Sequence, residues 1–235
     1  MKMHLKLSSQ LLAAILFLVV ACQPSKTEES EESAAEEPVA ETAVEEVKEE
    51  STGLINPNLA SAEEIVSGGI SEELANKIIE NRPFLTMTDL DKLLGETLDS
   101  AQRAAVYGSM FVPFDLNNTP EDDFKVIPGV GDRMAHEFEE YRPYIKIEQF
   151  RKEIGKYVDE AEVARLEQYV FVPVELNTAS KEEILAIPGV GDRMLHEFEE
   201  YRPYASMEQF RKEIGKYVDD KELARLERFV YLKEE

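Results

Sequence analysis

One block of the chain occurs twice, sixty residues apart, and this repetition limits the folds available to the sequence. Residues 127–159 begin Ile-Pro-Gly-Val-Gly-Asp-Arg-Met, and residues 187–219 begin with the same eight residues. Only four of the 33 paired positions differ, namely Ala135/Leu195, Ile145/Ala205, Lys146/Ser206 and Ile147/Met207. A fixed period of this length is typical of tandem modules, each of which buries part of its apolar surface against a neighbour.

The repeated block is predicted to form short helices joined by tight turns. Thr119 and Asp132 are expected to cap the helices before and after a Pro-Gly-Val-Gly turn, Gly155 to end a third helix and Asp159 to begin a fourth. Apolar residues recur at helical spacing after the turn, at Met134, Ala135, Phe138 and Tyr141. No segment alternates with period two for long enough to predict a sheet. The sequence therefore predicts an all-α fold class.

The N-terminal part is predicted to direct and anchor the protein. Residues 1–21 combine a short basic start with an apolar stretch, which is typical of a signal peptide, and the residues around Cys22 resemble a lipoprotein lipobox. Lipidation of Cys22 would attach the chain to a membrane on the extracytoplasmic side of the cell envelope. Residues 22–53 contain eleven Glu and two Lys, so we predict a disordered acidic tether.

The remainder divides into three predicted modules, at residues 54–113, 114–173 and 174–235. The second and third contain the repeated block. The first keeps the outline, but its turn reads Ser67-Gly68-Gly69-Ile70-Ser71, so that a serine stands in place of the second glycine. We therefore interpret the first module as a degenerate copy.

The third module carries a resemblance to a known family. Its stretch Asn177-Thr178-Ala179-Ser180, followed by Ile187-Pro188-Gly189-Val190-Gly191, resembles the start of ComEA-type helix-hairpin-helix domains. The later helices match the second half of such a two-hairpin unit, and the resemblance extends over all three modules. It implies a tandem array of helix-hairpin-helix units.

The resemblance also implies a function. Domains of this family bind duplex DNA without sequence preference, and membrane-tethered members act as DNA receptors in natural transformation. Hairpin N–H groups at a helix N-terminus hold a phosphate oxygen, a use of free donors and helix dipole that is physically sound. The implied DNA phosphate contacts in this chain are Gly129, Val130, Gly131, Arg133, Gly189, Val190, Gly191 and Arg193.

Other features of the sequence argue for weak binding. The second turn of each unit reads Gly155-Lys156-Tyr157 or Gly215-Lys216-Tyr217 and lacks the second glycine. The chain has a formal net charge of −23, although Lys152, Lys156, Lys212 and Lys216 offer further cations. Two hairpins that neutralise few phosphates would bind with dissociation constants of roughly 10⁻⁴ to 10⁻⁶ M, strongly dependent on salt.

The alternative function is that of an acidic scaffold that binds an envelope protein. A small extrinsic subunit of photosystem II is similar in architecture and has no nucleic-acid role, so the fold does not fix the function. Three recurring corners, Arg82-Pro83-Phe84, Arg142-Pro143-Tyr144 and Arg202-Pro203-Tyr204, would then form a docking row. Their structural interpretation is a helix end, with Arg at the C-terminus and the aromatic ring packed inside.

The sequence predicts no enzyme, no cofactor and no metal site. Asp132, His136 and Glu140 are spaced along one helix face, but surface ion pairing explains them better than converging metal ligands do. The Gly-x-Gly turn is no dinucleotide fingerprint, because no predicted strand precedes it and no third glycine follows. The residues also contain no nucleophile and base in an arrangement that would suggest catalysis.

Overall fold

Four short helices in a fixed order occur three times along residues 53–233, the part of the chain that the computed structural model describes. The first repeat contains α1 (Ala62–Ser67), α2 (Glu72–Glu80), α3 (Met87–Leu94) and α4 (Ser100–Val106). The second contains a 3₁₀ helix (Glu121–Val126), α5 (Asp132–Glu140), α6 (Ile147–Ile154) and α7 (Glu160–Glu167). The third contains α8 (Lys181–Leu185), α9 (Asp192–Glu200), α10 (Met207–Ile214) and α11 (Asp220–Glu227).

This helix-rich architecture confirms the all-α prediction at the level of class. The predicted Thr119 cap was wrong, since the 3₁₀ helix follows Pro120 and has no side-chain cap. Gly155 ends α6 and Asp159 caps α7, as expected. The signal peptide, the lipidated Cys22 and the acidic tether lie outside the described residues.

Very short parallel strands join the two ends of each repeat. In the second repeat β1 (Phe114–Asp115) pairs with β2 (Val170–Phe171), and in the third β3 (Val174–Glu175) pairs with β4 (Val230–Tyr231). The first repeat has a single equivalent bridge, between Ile55 and Met110. Two-residue strands show no alternation of apolar and polar residues, so the sequence pattern could not predict them.

The Arg-Pro-aromatic corners are internal braces. In the second repeat Arg142 Nε donates to the Leu116 carbonyl at 2.5 Å, and its Nη2 donates to the Thr119 carbonyl. Asn117 exchanges two hydrogen bonds with the backbone of Tyr144, at 2.7 and 2.8 Å. The other two repeats make the same contacts, through Arg82 with Asn58 and through Arg202 with Asn177.

These contacts correct two expectations. The arginines hold carbonyls that precede the first helix of each repeat, rather than the end of their own helix. The predicted docking row was also wrong: Phe84, Tyr144 and Tyr204 are only 3%, 1% and 3% exposed, so their rings are unavailable to a partner.

The first and second repeats share one apolar core, and the third has a core of its own. Edge-to-face ring contacts run through the shared core from Phe111 to Phe114 (5.1 Å between centroids) and from Phe114 to Phe124 (5.7 Å). Arg228 joins the third repeat to the others, because its guanidinium lies 5.4 Å from the Phe171 ring centroid and donates to the Pro113 carbonyl. Burial lowers the pKa of Arg228 to about 10. The fold therefore fixes the three repeats against one another.

Candidate functional site

The same hairpin turn connects the first two helices of each repeat. We call residues 68–71, 128–131 and 188–191 hairpins 1, 2 and 3. Gly69, Gly129 and Gly189 have φ of +91°, +83° and +81°, a left-handed conformation that glycine adopts without steric cost. These three glycines are sixty residues apart, so hairpin 1 keeps the period of the repeat.

Val130 and Val190 belong to the core and to the turn. Both side chains are 7% exposed, and each backbone N–H donates at 3.0 Å to the carbonyl three residues earlier, that of Ile127 or Ile187. The prediction that these N–H groups are free was therefore wrong. The flanking glycines of both hairpins are exposed.

Helices α5 and α9 begin without a side-chain cap. Their N-caps are Gly131 and Gly191, so the prediction that Asp132 caps α5 was wrong by one residue. Eight of the eleven described α-helices have a Ser, Thr or Asp side chain that accepts a first-turn N–H; besides α5 and α9, only α6 lacks one. Within residues 53–233, the first-turn N–H groups of α5 and α9 have no hydrogen-bond acceptor.

Folding does not require glycine at these two N-caps. Gly131 has φ −105° and ψ −178°, and Gly191 has φ −109° and ψ −176°, which is extended backbone open to any residue. A Cβ added at either position would meet nothing within 4 Å. Ser71 occupies the same position in hairpin 1, and its hydroxyl accepts from Leu74 N–H at 3.3 Å. Hairpin 1 thus satisfies its own helix, whereas hairpins 2 and 3 leave the donors open.

The charged side chains around hairpin 2 do not form an ion pair with Arg133. Arg133 is exposed and lies 5.7 Å from the Tyr157 ring centroid, and the ion pair with Glu137 that its spacing favours is not present. Asp132 binds Lys125 at 2.5 Å, which lowers the Asp132 pKa and draws its carboxylate to a cation. No carboxylate therefore covers Arg133. In hairpin 3, Arg193 is likewise exposed.

A buried polar cluster lies next to the open end of α5. Glu137 is 8% exposed, and its Oε2 has no hydrogen-bond partner within the described residues. The neighbouring Glu137 and Tyr141 side chains raise the pKa of Tyr157, whose hydroxyl is 2.7 Å from that of Tyr141. Gly131, Arg133, Glu137 and Tyr157 together line a shallow pocket at the helix N-terminus. The third repeat contains the same cluster, formed by Glu197, Tyr201 and Tyr217.

The second turns of both repeats are closed, as their missing glycine predicts. The Asp159 carboxylate accepts from Glu162 N–H at 2.9 Å, and Asp219 accepts from Glu222 N–H at 2.8 Å. The nearby lysines are already paired. Lys152 and Lys156 both contact Glu153, and in the third repeat Lys212 and Lys216 both contact Glu213. Apart from the uncapped start of α6, the uncapped α-helix N-termini of the second and third repeats therefore lie at hairpins 2 and 3.

Sequence reasoning missed two arginines that lie against these hairpins. Arg165 Nη2 is 3.4 Å from where a Cβ of Gly129 would lie, and Arg225 Nη2 is 2.8 Å from the corresponding point at Gly189. Both arginines lie outside the block of near-identity, six residues after its end. Their common position in the sixty-residue period was the signal that could have found them.

The described residues contain no group of three or more His, Cys, Asp or Glu side chains that could hold a metal ion. His136 Nδ1 is 3.4 Å from Glu121, which raises the His136 pKa, while the Asp132 carboxylate is bound to Lys125. Among the helices of residues 53–233, none is long and apolar enough to cross a membrane.

None of the family models, curated proteins or solved structures that we compared with this chain matches it.

Proposed function

We propose that this protein binds the backbone of duplex DNA, without sequence preference, through the open N-termini of α5 and α9. In this proposal the three repeats are helix-hairpin-helix modules of the ComEA type, held in the cell envelope by a lipid on Cys22. The observation that carries the proposal is the glycine N-cap of α5 and α9, which neither backbone strain nor crowding requires. The open donors, the helix dipole and an adjacent arginine together suit a phosphate oxygen.

The acidic surface sets the strength of this binding. The signal peptide contributes two positive charges, and residues 23–52 contribute a net charge of −9. The remainder of the formal net charge of −23, which is −16, lies on residues 53–235. Salt screens the electric field of exposed charges over about 8 Å under physiological conditions. The charges nearest each hairpin therefore affect phosphate binding more than the net charge of the chain does. With one arginine and one helix terminus at each of two hairpins, binding is weak and falls steeply as salt rises.

The decisive variant is the double substitution Gly131→Ser/Gly191→Ser, which gives hairpins 2 and 3 the self-capping residue of hairpin 1. Fluorescence anisotropy of a labelled duplex, titrated at about 50 mM salt and above, measures the affinity. We expect the double variant to lose at least about tenfold in affinity. Serine and glycine N-caps differ by only a few tenths of a kcal/mol, so its urea unfolding should be unchanged or slightly improved.

A pair of charge reversals separates local contacts from bulk repulsion. Arg133→Glu/Arg193→Glu should abolish binding, whereas Lys92→Glu/Lys233→Glu, with the same change in net charge at exposed residues outside both hairpins, should weaken it slightly. Equal losses from the two pairs would show that only net charge matters. Failure of the unaltered protein to bind duplex at low salt would remove the proposal.

A second candidate is a scaffold that docks an envelope protein. One observation favours it: Ile145 is 62% exposed, the most of any large hydrophobic residue described, and it lies in a cleft between the second and third repeats. Cross-linking in whole cells, with Ile145→Ser as the comparison, tests this function. A cross-linked partner that disappears with the substitution would support the scaffold, and an unchanged cross-linking pattern would count against it.

A further inference from the structure

Hairpins 2 and 3 each pack a guanidinium from the last helix of their repeat against the left-handed glycine. A Cβ at Gly129 would touch Arg165 Nη2 at 3.4 Å, and one at Gly189 would lie only 2.8 Å from Arg225 Nη2. The matching residue of the first repeat is Ala105, beside the hairpin whose helix is capped by its own serine. An arginine guanidinium therefore lies against each of the two hairpins whose helices have open N–H donors, and hairpin 1 has alanine at the equivalent position.

In the second repeat the guanidinium is held in place with one edge unused. Arg165 Nε and Nη2 donate to the two carboxylate oxygens of Glu162, both at 2.7 Å, and the Tyr169 ring centroid is 5.6 Å from its Cζ. Its Nη1 makes no hydrogen bond to any residue of 53–233, and the side chain is 34% exposed. The carboxylate fixes the guanidinium plane, and the Nη1 edge stays available to an acceptor.

In the third repeat the same edge is occupied. Arg225 makes the equivalent fork to Glu222, at 2.6 and 2.7 Å, but its Nη1 donates to the Pro188 carbonyl at 2.6 Å. Its side chain is only 2% exposed, and Leu59 of the first repeat contacts the outer side of Gly189, 3.1 Å from the Cβ position. Arg225 therefore braces hairpin 3, and its burial keeps its remaining N–H donors from a ligand.

We infer that Arg165 is a second phosphate contact of hairpin 2, in addition to Arg133, and that Arg225 is not one. The two hairpins are then unequal, with hairpin 2 contacting one more phosphate than hairpin 3. This inference rests on the proposed function, because it names a further residue of the same binding surface.

The experiment measures duplex affinity of the full chain in detergent across a salt series, for the unaltered protein and for Arg165→Ala, Arg165→Lys and Arg225→Ala. Each phosphate contact contributes about 0.9 to the slope of log affinity against log salt for duplex DNA. We expect Arg165→Ala to lower the slope by about 1 and the low-salt affinity several-fold, and Arg165→Lys to keep the slope. Arg225→Ala should keep the slope but unfold at lower urea.

Two outcomes would overturn the inference and leave the proposed function intact. One is an unchanged slope in Arg165→Ala when Gly131→Ser/Gly191→Ser has lost binding. The other is an equal fall in slope in Arg165→Ala and Arg225→Ala, which would make the hairpins equivalent. Absence of duplex binding by the unaltered protein would remove both proposals. Circular dichroism of each variant confirms that the helices are retained.

Discussion

Gly129 and Gly131 are two residues apart in hairpin 2, and we predict opposite consequences when each is replaced by alanine. Gly129 has φ +83°, a left-handed conformation that costs a residue with a Cβ about 1–2 kcal/mol. The added Cβ would contact Arg165 Nη2 at 3.4 Å, the end of a flexible side chain, which adds little. Gly129→Ala should therefore lower the free energy of unfolding by about 1–2 kcal/mol.

Gly131→Ala should leave stability within about 0.5 kcal/mol, because two small effects oppose each other. Alanine is a poorer N-cap than glycine, but it also restricts the unfolded chain, which stabilises the fold by about 0.4–1 kcal/mol. Its Cβ would meet nothing within 4 Å. Urea unfolding followed by circular dichroism measures both variants. In hairpin 3, Gly191→Ala repeats the Gly131→Ala measurement, whereas Gly189→Ala should cost more than Gly129→Ala, because its Cβ would lie 2.8 Å from Arg225 Nη2 and 3.1 Å from Leu59.

The contrast bears directly on function. If Gly131→Ala proved as destabilising as Gly129→Ala, the second glycine would be there for folding. The reasoning from its open surroundings to a ligand would then be refuted. If instead Gly131→Ala is as stable as the unaltered protein, folding does not require this glycine, and a ligand that approaches the helix N-terminus remains the explanation for it.

Two further predictions concern groups outside the hairpins. Glu121 raises the pKa of His136 above its ordinary 6.5. Their pairing therefore stabilises the fold fully below about pH 6.5, and this stabilisation is lost as pH rises through the folded-state pKa. In an NMR titration Glu121→Gln should lower the His136 pKa, and an unchanged value would contradict the pairing. The buried Tyr144 hydroxyl has no partner within residues 53–233, so Tyr144→Phe should raise stability by up to about 1 kcal/mol, whereas Tyr141→Phe, which removes a hydrogen bond to Tyr157, should lower it. Equal losses in urea unfolding would show that Tyr144 does have a partner.

Much of the fold was predictable because local chemistry decides it. The Pro-Gly turn and the start of α7 at Asp159 each follow from the preference of one residue. The left-handed Gly129 follows from the same rules. Gly155 ends α6 as predicted, but in a right-handed conformation, where a Cβ would lie 2.8 Å from the Arg151 carbonyl oxygen. Apolar spacing also placed Phe138 in the core, where it is fully buried.

The errors arose where a residue had a competing partner elsewhere. Asp132 is a good N-cap by type, but Lys125 binds its carboxylate, and the turn makes Gly131 the cap instead. Glu137 is spaced to pair with Arg133, yet it is buried beside Tyr157. Such choices depend on neighbours that the one-dimensional pattern does not contain.

The contacts of Arg165 and Arg225 depend even more on tertiary structure. Each reaches a hairpin more than thirty residues earlier in the chain, and nothing local distinguishes their surroundings. Both follow a glutamate by three residues, which by itself predicts only a helical ion pair. Leu59, which contacts the Cβ position of Gly189 but not that of Gly129, belongs to the first repeat.

Most of the positions that differ between the near-identical blocks lie where the second repeat contacts the third. Lys146, in the second repeat, makes an ion pair at 2.8 Å with Glu183 of the third repeat, which raises the pKa of Lys146 and lowers that of Glu183. Its counterpart Ser206 caps α10 instead. Ile145 likewise lies in the cleft between these repeats, where the third repeat has Ala205.

Three adjacent differences therefore coincide with the place where the second repeat meets the third. If exposed positions had drifted freely, the glycine N-caps and Arg133 would be expected to differ too, since a serine at Gly131 would fit and would cap the helix. Hairpin 1 shows that the fold accepts this serine, at Ser71. The retention of glycine in both other hairpins, at positions where folding gains nothing from it, is what a ligand shared by hairpins 2 and 3 would produce.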